Sequence, residues 1–461
     1  MIVDLKNIGA ISHSEIDLSK DLIILSGPNN TGKTYIAYTL YAIYKFTREF
    51  DELTLMGSNV VNTLLEKNIE LLLHDGKVSI KLKNEIILAI IEEVFEGVVS
   101  YLPNVFASDE KFFSEAKIKL QIPNKFISDF IDHLQIKSSF KFPGNIIIQI
   151  QKDQNNDEID FFYSVDTKTE RTSNSRIILQ IRYIIAQKIT ESILNAMFNN
   201  VYITPTERTA INLFSKELSV KRNEIVDRLL EYKTNKAQNN LLREVQRYPL
   251  PIRDSLAIAE DLANLQKSKS DYNFIADKIE KEILKGKITV SKDGDVLFNP
   301  SKSNIKNLNI HLSASVVKSL SNLVFYFRHL AQHNDFIIID EPELNLHPDN
   351  QIIMARLIAE IVNNGFKVLI STHSDYIVKE LNNLIRINHG SDEIKDKLMS
   401  LYGYSENNLL RKEQIGVYLF KDKKSQNIPV DDLGFEVSTI EKENSILAEA
   451  SERIYFEVFE K

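Results

Sequence analysis

The chain has 461 residues, 43% of them hydrophobic and 26% charged, so it is globular, with room for one large domain with insertions or about two to three ordinary domains. Scarce glycine (14) and proline (11) favour long regular elements, and the lack of cysteine excludes disulfides and thiolate metal sites. The formal net charge of −8 gives no support to bulk affinity for nucleic acid.

The N-terminal stretch, residues 1–26, alternates apolar and polar side chains with a break at Gly9. This pattern predicts a hairpin that leads into a buried strand at Leu22–Leu25. The first residues therefore resemble a strand rather than a signal peptide. No apolar run approaches the roughly 20 residues that span a bilayer, and we expect a soluble, cytoplasmic protein without a membrane partner.

A glycine-bounded loop joins that strand to a helical pattern that begins at Tyr35. A G-x-x-x-x-G-K-[ST] pattern in this position is a phosphate-binding P-loop, because its backbone N–H groups and the helix N-terminus both face a bound anion. Lys33 suits the β- and γ-phosphates of ATP, and the Thr34 hydroxyl suits Mg²⁺. The alternative is a simple glycine turn before a helix, but a chance match to the whole pattern is improbable in a chain with 14 glycines, and the flanking strand and helix reduce that chance further. The residues predicted to bind ATP are Gly27, Pro28, Asn29, Asn30, Thr31, Gly32, Lys33 and Thr34.

Two insertions are predicted in the middle of the chain. Residues 49–199 read as mainly helical, with helices near 60–73, 85–101 and 175–198 and one hairpin from strands at 145–150 and 159–163. A returning strand follows at 201–205. A second helical insertion spans 215–285 and precedes a hairpin that turns at Asp293-Gly294. No internal repeat or long coiled coil is visible.

The last third alternates helix and strand: helices at 315–331, 350–363 and 375–384, and strands at 336–339 and 367–371. Such alternation predicts a parallel sheet covered on both faces. The predicted fold class is therefore α/β, an ATPase head with a mixed or parallel sheet and large helical insertions. Residues 1–48 and 200–461 are expected to form the head.

Polar residues follow both strands of this last third. Asp340 and Glu341 come directly after four apolar residues, and the carboxyl end of a buried parallel strand is where ligands bind. We expect Asp340 to hold Mg²⁺ through water and Glu341 to polarise the attacking water; an acidic helix cap is the alternative. His373 follows the next strand in Ser371-Thr372-His373-Ser374 and suits a hydrogen bond to the γ-phosphate or to that water.

The order of these motifs resembles the Walker A, Walker B plus D-loop, and H-loop of ABC-type ATPases, in the branch of SMC, RecF and OLD-like proteins. The resemblance implies head-to-tail dimers, in which a signature motif of one head completes the ATP site of the other. Residues 311–320 occupy that position, with Val316 where glycine is common. The resemblance assigns Ser315 and Lys318 to the partner's ATP and a trans or regulatory role to His347; an ordinary serine cap is the alternative for Ser315.

Residues 204–208, Thr-Pro-Thr-Glu-Arg, are similar to the P-x-E-R stretch of OLD-like and related bacterial defence ATPases. The resemblance suggests that Arg208 stabilises phosphate charge or bridges heads; a surface salt bridge is the alternative. Gln149 and Gln151 are the candidates for a Q-loop glutamine.

A stand-alone ATPase of bacterial antiphage defence is the family that the chain most resembles, above all the AriA type of PARIS systems and next the PtuA type. The grounds are the length, the helical insertions, the signature residues, and a C-terminal part without Toprim nuclease motifs. The resemblance implies self-assembly, a separate nuclease effector (Toprim rather than HNH) and a phage protein as trigger. The alternative is a RecF- or SMC-like repair ATPase that acts on DNA directly, which the negative charge disfavours.

Overall fold

A computed structural model describes residues 1–49, 57–142, 145–165, 175–215, 217, 247–292 and 294–459. The chain forms two compact units. The first contains residues 1–5, 42–101 and 116–200, and the second contains residues 6–41, 102–115 and 201–461.

The strands of the described residues are β1 Ile2–Ile8, β2 Ile11–Asp17, β3 Leu22–Ser26, β4 Lys77–Lys81, β5 Lys117–Gln121, β6 Ile136–Phe142, β7 Ile146–Lys152, β8 Glu158–Val165, β9 Val201–Thr204, β10 Gly286–Val290, β11 Val296–Pro300, β12 Leu308–Asn309, β13 Phe336–Asp340, β14 Lys367–Thr372, β15 Ile415–Lys421 and β16 Lys424–Ile428. The α-helices of the described residues include α1 Lys33–Arg48, α2 Asn59–Asp75, α3 Asn84–Val105, α4 Asn124–His133, α5 Ser175–Met197, α6 Leu250–Glu260, α7 Leu262–Leu265, α8 Asn273–Lys278, α9 Ser315–Phe325, α10 Pro348–Asn363, α11 Asp375–His389, α12 Asp392–Tyr402 and α13 Ser438–Phe459. A further helix begins at residue 208.

The sheet of the second unit has the strand order β2-β16-β15-β3-β14-β13-β9. Pairing is parallel from β15 through β3, β14 and β13 to β9, and β16 pairs antiparallel with β15. The central strands are apolar and buried because helices cover them: the side chains of α9, α10 and α11 share one core with β3, β13 and β14. This mixed sheet confirms the predicted α/β class.

The register of the parallel strands aligns their carboxyl ends. Ser26 of β3 lies opposite Thr372 of β14, Ser371 opposite Asp340 of β13, and Ile339 opposite Thr204 of β9. The loops after these four strands therefore leave the sheet at one edge, where ligands bind in parallel sheets.

The first unit contains more strand than the sequence predicted. The predicted hairpin is confirmed as β7 and β8, but it is the middle of a four-stranded antiparallel sheet with the order β4-β8-β7-β6. The prediction of a single hairpin is wrong: β4 and β6 are edge strands in which exposed polar residues alternate with the others, and this gives a weak apolar signal.

The bounds of the units differ from those of the predicted insertion. Residues 1–5 and 42–48 belong to the first unit, and residues 102–115 belong to the second. The place of residues 102–115 has an aromatic cause: Phe106 stacks on Tyr35 of α1 with ring centroids 5.4 Å apart, and Phe112 stacks on the same ring. Aromatic contacts of this kind add to the burial of apolar area.

Most other predicted elements are confirmed within one turn, including the hairpin β10–β11, which pairs antiparallel. Of the second predicted insertion, residues 216 and 218–246 lie outside the described residues, and residues 250–260, 262–265 and 273–284 are helical, with turns at 266–272. Among the described residues, no helix combines the length and apolar character that a membrane span requires.

Candidate active site

The loop after β3 turns sharply before α1 begins at Lys33. Gly27, Asn30 and Gly32 have φ angles of 137°, 62° and 97°, a region that glycine and asparagine tolerate. At Gly27 a β-carbon would lie 2.5 Å from the carbonyl oxygen of Phe420 on β15. The residues at 28–30 are exposed. The loop thus has the open backbone curvature that a phosphate requires.

The Lys33 side chain lies along this loop. Its ammonium group donates hydrogen bonds to the carbonyl oxygens of Gly27 (2.9 Å) and Pro28 (3.0 Å). Only 6% of the residue is exposed, and this burial lowers the Lys33 pKa to about 8, against the opposing effect of Asp340, Glu341 and a third carboxylate, Glu343. A buried cation that is coupled to three carboxylates is typical of a functional site.

Thr34 and Asp340 meet across the sheet edge. The Thr34 hydroxyl donates to Asp340 Oδ2 at 3.2 Å, and the Ser371 hydroxyl donates to Asp340 Oδ1. Asp340 is 1% exposed, and burial raises its pKa, although both hydroxyl bonds act in the opposite direction. A hydroxyl and a carboxylate at this distance form a hard oxygen ligand set, which fits Mg²⁺. These two residues would hold the ion, and it would neutralise phosphate charge when bound.

Glu341 and His373 also come together. His373 Nε2 lies 3.8 Å from Glu341 Oε1, and their side chains are 29% and 34% exposed. Burial lowers the His373 pKa, and Lys33 lowers it further, while Glu341 and a hydrogen bond to the Gly27 backbone raise it. The imidazole is therefore neutral at pH 7. A carboxylate and a neutral imidazole, both partly open to solvent, can orient a water molecule.

The backbone of Glu341 is in the left-handed region, with φ 52°. This conformation costs a non-glycine residue roughly 1–2 kcal/mol and persists where neighbours hold it. The Glu341 N–H donates to the Ser371 carbonyl and hydroxyl oxygens, both at 3.1 Å. Ser371 thus contacts both acidic residues.

Ser371 and Glu343 are two functional residues that sequence reasoning missed. The Glu343 carboxylate accepts the His373 N–H at 2.6 Å and the Thr372 hydroxyl at 3.0 Å, and it fixes the loop that presents His373. Burial raises the Glu343 pKa, and the bond from His373 lowers it. Both residues stand inside the motifs that sequence analysis identified, but only the folded strands show which groups they contact.

Arg208 has a different environment from the predicted one. It is 2% exposed, and its guanidinium donates to Ser319 Oγ (2.8 Å) and to the carbonyl oxygens of Pro205 (3.2 Å), Asp340 (2.7 Å) and Glu341 (2.6 Å). The alternative of a surface salt bridge is therefore wrong, and a role of Arg208 toward phosphate charge or a second head stays a prediction. Burial lowers the pKa of Arg208, which nevertheless stays charged at neutral pH.

The remaining predicted residues lie in or beside the first turns of two helices; Ser315 and His347 are exposed, and Lys318 is half-buried. Ser315 is the first residue of α9 and is exposed; Ala314 takes the N-cap position, so Ser315 is not the cap. Lys318 donates to the His311 carbonyl at 2.9 Å and makes no described contact with the P-loop of its own chain. His347 precedes α10, is 79% exposed and contacts Asp349 at 2.6 Å. The structure thus gathers Lys33, Thr34, Asp340, Glu341 and His373 but not these three.

A P-loop, a Walker B carboxylate pair and a histidine at the carboxyl edge of a parallel sheet define a P-loop nucleoside triphosphatase. The profile of the AAA ATPase domain family matches residues 1–378, and the chain belongs to this family of ATPases.

Among curated proteins, none matches the chain. Solved structures that are similar to it include the Smc head domain of Pyrococcus furiosus with an extended coiled coil, bound to the C-terminal domain of ScpA (11% identity, 98% of each chain covered, TM-score 0.33). Others are the SMC head domain of Thermotoga maritima (10% identity, 93% of this chain and 98% of that one, TM-score 0.28) and an SmcHead bound to the C-winged helix domain of ScpA (12% identity, 93% and 96%, TM-score 0.31).

Proposed function

We propose that this ATPase is the Mg²⁺-dependent ATP-hydrolysing subunit of an antiphage complex, which assembles with copies of itself and controls a separate nuclease. The observation that carries the enzymatic part is the 3.2 Å contact between Thr34 and Asp340, with Glu341 and His373 beside it. These groups match the sequence of tasks in phosphoryl transfer: hold the metal, activate water and stabilise the phosphate.

Each residue has one role in this mechanism. The loop amides and the Lys33 ammonium bind the β- and γ-phosphates. Glu341 accepts a proton from the attacking water, and His373 donates a hydrogen bond to a γ-phosphate oxygen. The neutral ring keeps one N–H, so it makes this bond in exchange for its hydrogen bond to the Gly27 backbone.

The proposed assembly uses the exposed start of α9. Ser315 and Lys318 offer a hydroxyl, backbone N–H groups and a cation on a surface that faces solvent, and a helix N-terminus attracts anions. In the proposed dimer they contact ATP bound to the second copy. His347 is also exposed to solvent and is therefore a further candidate for a contact with the second copy.

The antiphage role is supported by the likeness of the motifs to AriA- and PtuA-type ATPases. A Toprim-type nuclease is the favoured effector, an HNH type the second, and a phage protein the trigger. The net charge of −8 favours a protein partner over DNA, which is the target in the alternative of a RecF- or SMC-like repair ATPase.

Hydrolysis is tested by phosphate release from purified protein with Mg²⁺ or EDTA. Lys33→Ala should abolish ATP binding, and Glu341→Gln should keep binding but lower kcat by about 100-fold or more, because it removes the base. The matched controls are Lys397→Ala and Glu393→Gln, which change exposed residues of α12 and should leave the rate unchanged. A normal rate for Glu341→Gln would show that this carboxylate is not the base.

The biological role is tested in cells that carry the chain with the adjacent reading frame. Phage plaques should decrease only when both are present, and Lys33→Ala should remove the protection. Purified chain should show little affinity for labelled DNA. Binding that weakens steeply with salt would instead support the repair alternative.

A further inference from the structure

The residue that the proposed mechanism leaves unused is Arg208, at the start of the helix that follows β9. Its guanidinium bonds carbonyl oxygens of the acidic loop rather than the carboxylates of that loop. Both terminal nitrogens and Nε have partners, so no nitrogen lacks an acceptor. A guanidinium fork is the side chain that can bind two successive carbonyls and a hydroxyl at once.

The bonds from Arg208 to the carbonyls of Asp340 and Glu341 hold the backbone at Glu341, which has a strained conformation. Glu341 has a left-handed φ of 52°, its N–H donates to Ser371, and its carbonyl accepts from Arg208 at 2.6 Å. Ser371 belongs to β14 and Arg208 follows β9, so the peptide groups on either side of the Glu341 α-carbon are held from opposite neighbours of β13. The direction of the Glu341 side chain depends on these backbone angles.

The other side of Arg208 contacts α9. Nε donates to Ser319 Oγ at 2.8 Å, and one helical turn later Asn212 donates to the carbonyl of Lys318 at 2.7 Å and to that of Arg208 at 3.0 Å. Arg208, Asn212 and Ser319 are all buried. A single helical turn therefore joins the first two turns of α9 to the loop that carries Glu341.

We propose that Arg208 is a positioning residue: it sets the backbone of Glu341 so that the carboxylate faces the attacking water, and it links this position to α9 through Ser319. The first half rests on the proposed role of Glu341 as the base, and the second on the proposed contact of α9 with ATP of another copy. In the assembled state, a displacement of α9 by that ATP reaches Glu341 through two hydrogen bonds. Arg208 itself touches no phosphate.

The first half is tested by a double-mutant cycle between Arg208 and Glu341. Arg208→Lys and Arg208→Met should lower kcat by about 100-fold while the Kd for ATP changes by no more than about threefold, because the P-loop is intact. Glu341→Gln combined with Arg208→Lys should be no slower than Glu341→Gln alone, since both remove the same function. A merely structural role predicts additive losses and weaker ATP binding, and either result would overturn the proposal. An unchanged Kd for ATP shows that each variant is folded. If Arg208→Met fails to fold, Arg208→Lys still tests the proposal because it keeps the buried charge.

The second half is tested with Ser319→Ala, which removes the bond to α9 and keeps the bonds to the carbonyls. We expect wild-type kcat to rise with protein concentration as copies assemble, and Ser319→Ala to lose at least about half of that rise at equal ATP affinity. An undiminished rise in Ser319→Ala would refute the link. A wild-type kcat that does not depend on protein concentration would refute the shared ATP site, and the link through Ser319 would fall with it. The positioning role of Arg208 is tested separately, by the double-mutant cycle.

Discussion

Two buried cationic side chains, Lys33 and Arg208, lie at this site, and they differ in geometry and in how readily they lose a proton. Lys33 is a compact ammonium on a flexible stem, bonded to two loop carbonyls, and burial brings its pKa to about 8. Arg208 is a planar fork that keeps its charge and uses it on backbone carbonyls. The lysine can therefore exchange its partners for phosphate oxygens, whereas the arginine is part of the framework.

The lowered pKa of Lys33 predicts a pH dependence of ATP binding. The protonated amine binds phosphate, and it is present below the free-protein pKa of about 8. As pH rises above that value the amine becomes neutral, and each further unit should weaken ATP affinity by up to about tenfold. The measurement is the Kd for ATP from about pH 7 to about pH 9.5.

Lys33→Arg is the matched control for this titration because a guanidinium stays charged over the whole range. Whatever its affinity at pH 7, its profile should be flat above pH 8. Identical slopes for the wild type and Lys33→Arg would show that another group causes the dependence.

At the scale of elements, the P-loop depends on a strand from the far end of the chain. β15 pairs in parallel with β3, and the carbonyl of its Phe420 lies directly against Gly27. The sheet thus leaves no space for a side chain at the point where the loop begins. A positive φ at Gly27 adds a second reason for glycine.

Gly27→Ala should therefore abolish measurable ATP binding and destabilise the fold by about 2 kcal/mol or more, because strain and a clash with backbone combine. Gly403→Ala is the control: Gly403 also has a positive φ, 71°, at the end of α12, with nothing within 4 Å of an added β-carbon. It should cost about 1 kcal/mol and leave ATP affinity unchanged. Urea unfolding and ATP titration measure both; equal effects of the two substitutions would contradict the role of Phe420.

At the scale of the whole molecule, the proposed shared site makes ATP hydrolysis a property of assembly. Within one chain, Ser315 and Lys318 face solvent and make no described contact with Lys33 or Thr34. A bound γ-phosphate that is blocked from hydrolysis should hold copies together, because ligand binding stabilises the state that binds it.

Glu341→Gln with ATP should therefore form a dimer or larger species in light scattering, and removal of ATP should return it to the smaller form. Lys318→Glu in that background should abolish the larger species by charge repulsion while ATP affinity changes by no more than about threefold. Lys397→Glu on exposed α12 is the matched control. A mass that is independent of ATP would argue against the shared site.

The predictable part of this molecule is the part that local patterns encode. The strands β3, β13 and β14 were predictable because each is an apolar run that polar residues follow. The polar residues at or after the ends of these strands include Lys33, Asp340, Glu341 and His373, which the structure brings together. The parallel arrangement was predictable because helices alternate with strands. Edge strands β4 and β6 were missed since partial exposure removes the apolar signal.

By itself, the sequence determined where the P-loop and the polar strand ends lie, because these are local features of a few consecutive residues. Only the tertiary structure decided how their residues are held. Arg208 contacts a carbonyl 132 positions away, and Ser371 contacts an aspartate 31 positions away. Buried donors and acceptors must find partners, and strand order and helix packing choose which ones are near. For this reason the fold, and not the sequence, shows that Arg208 bonds the backbone of the loop that carries Asp340 and Glu341.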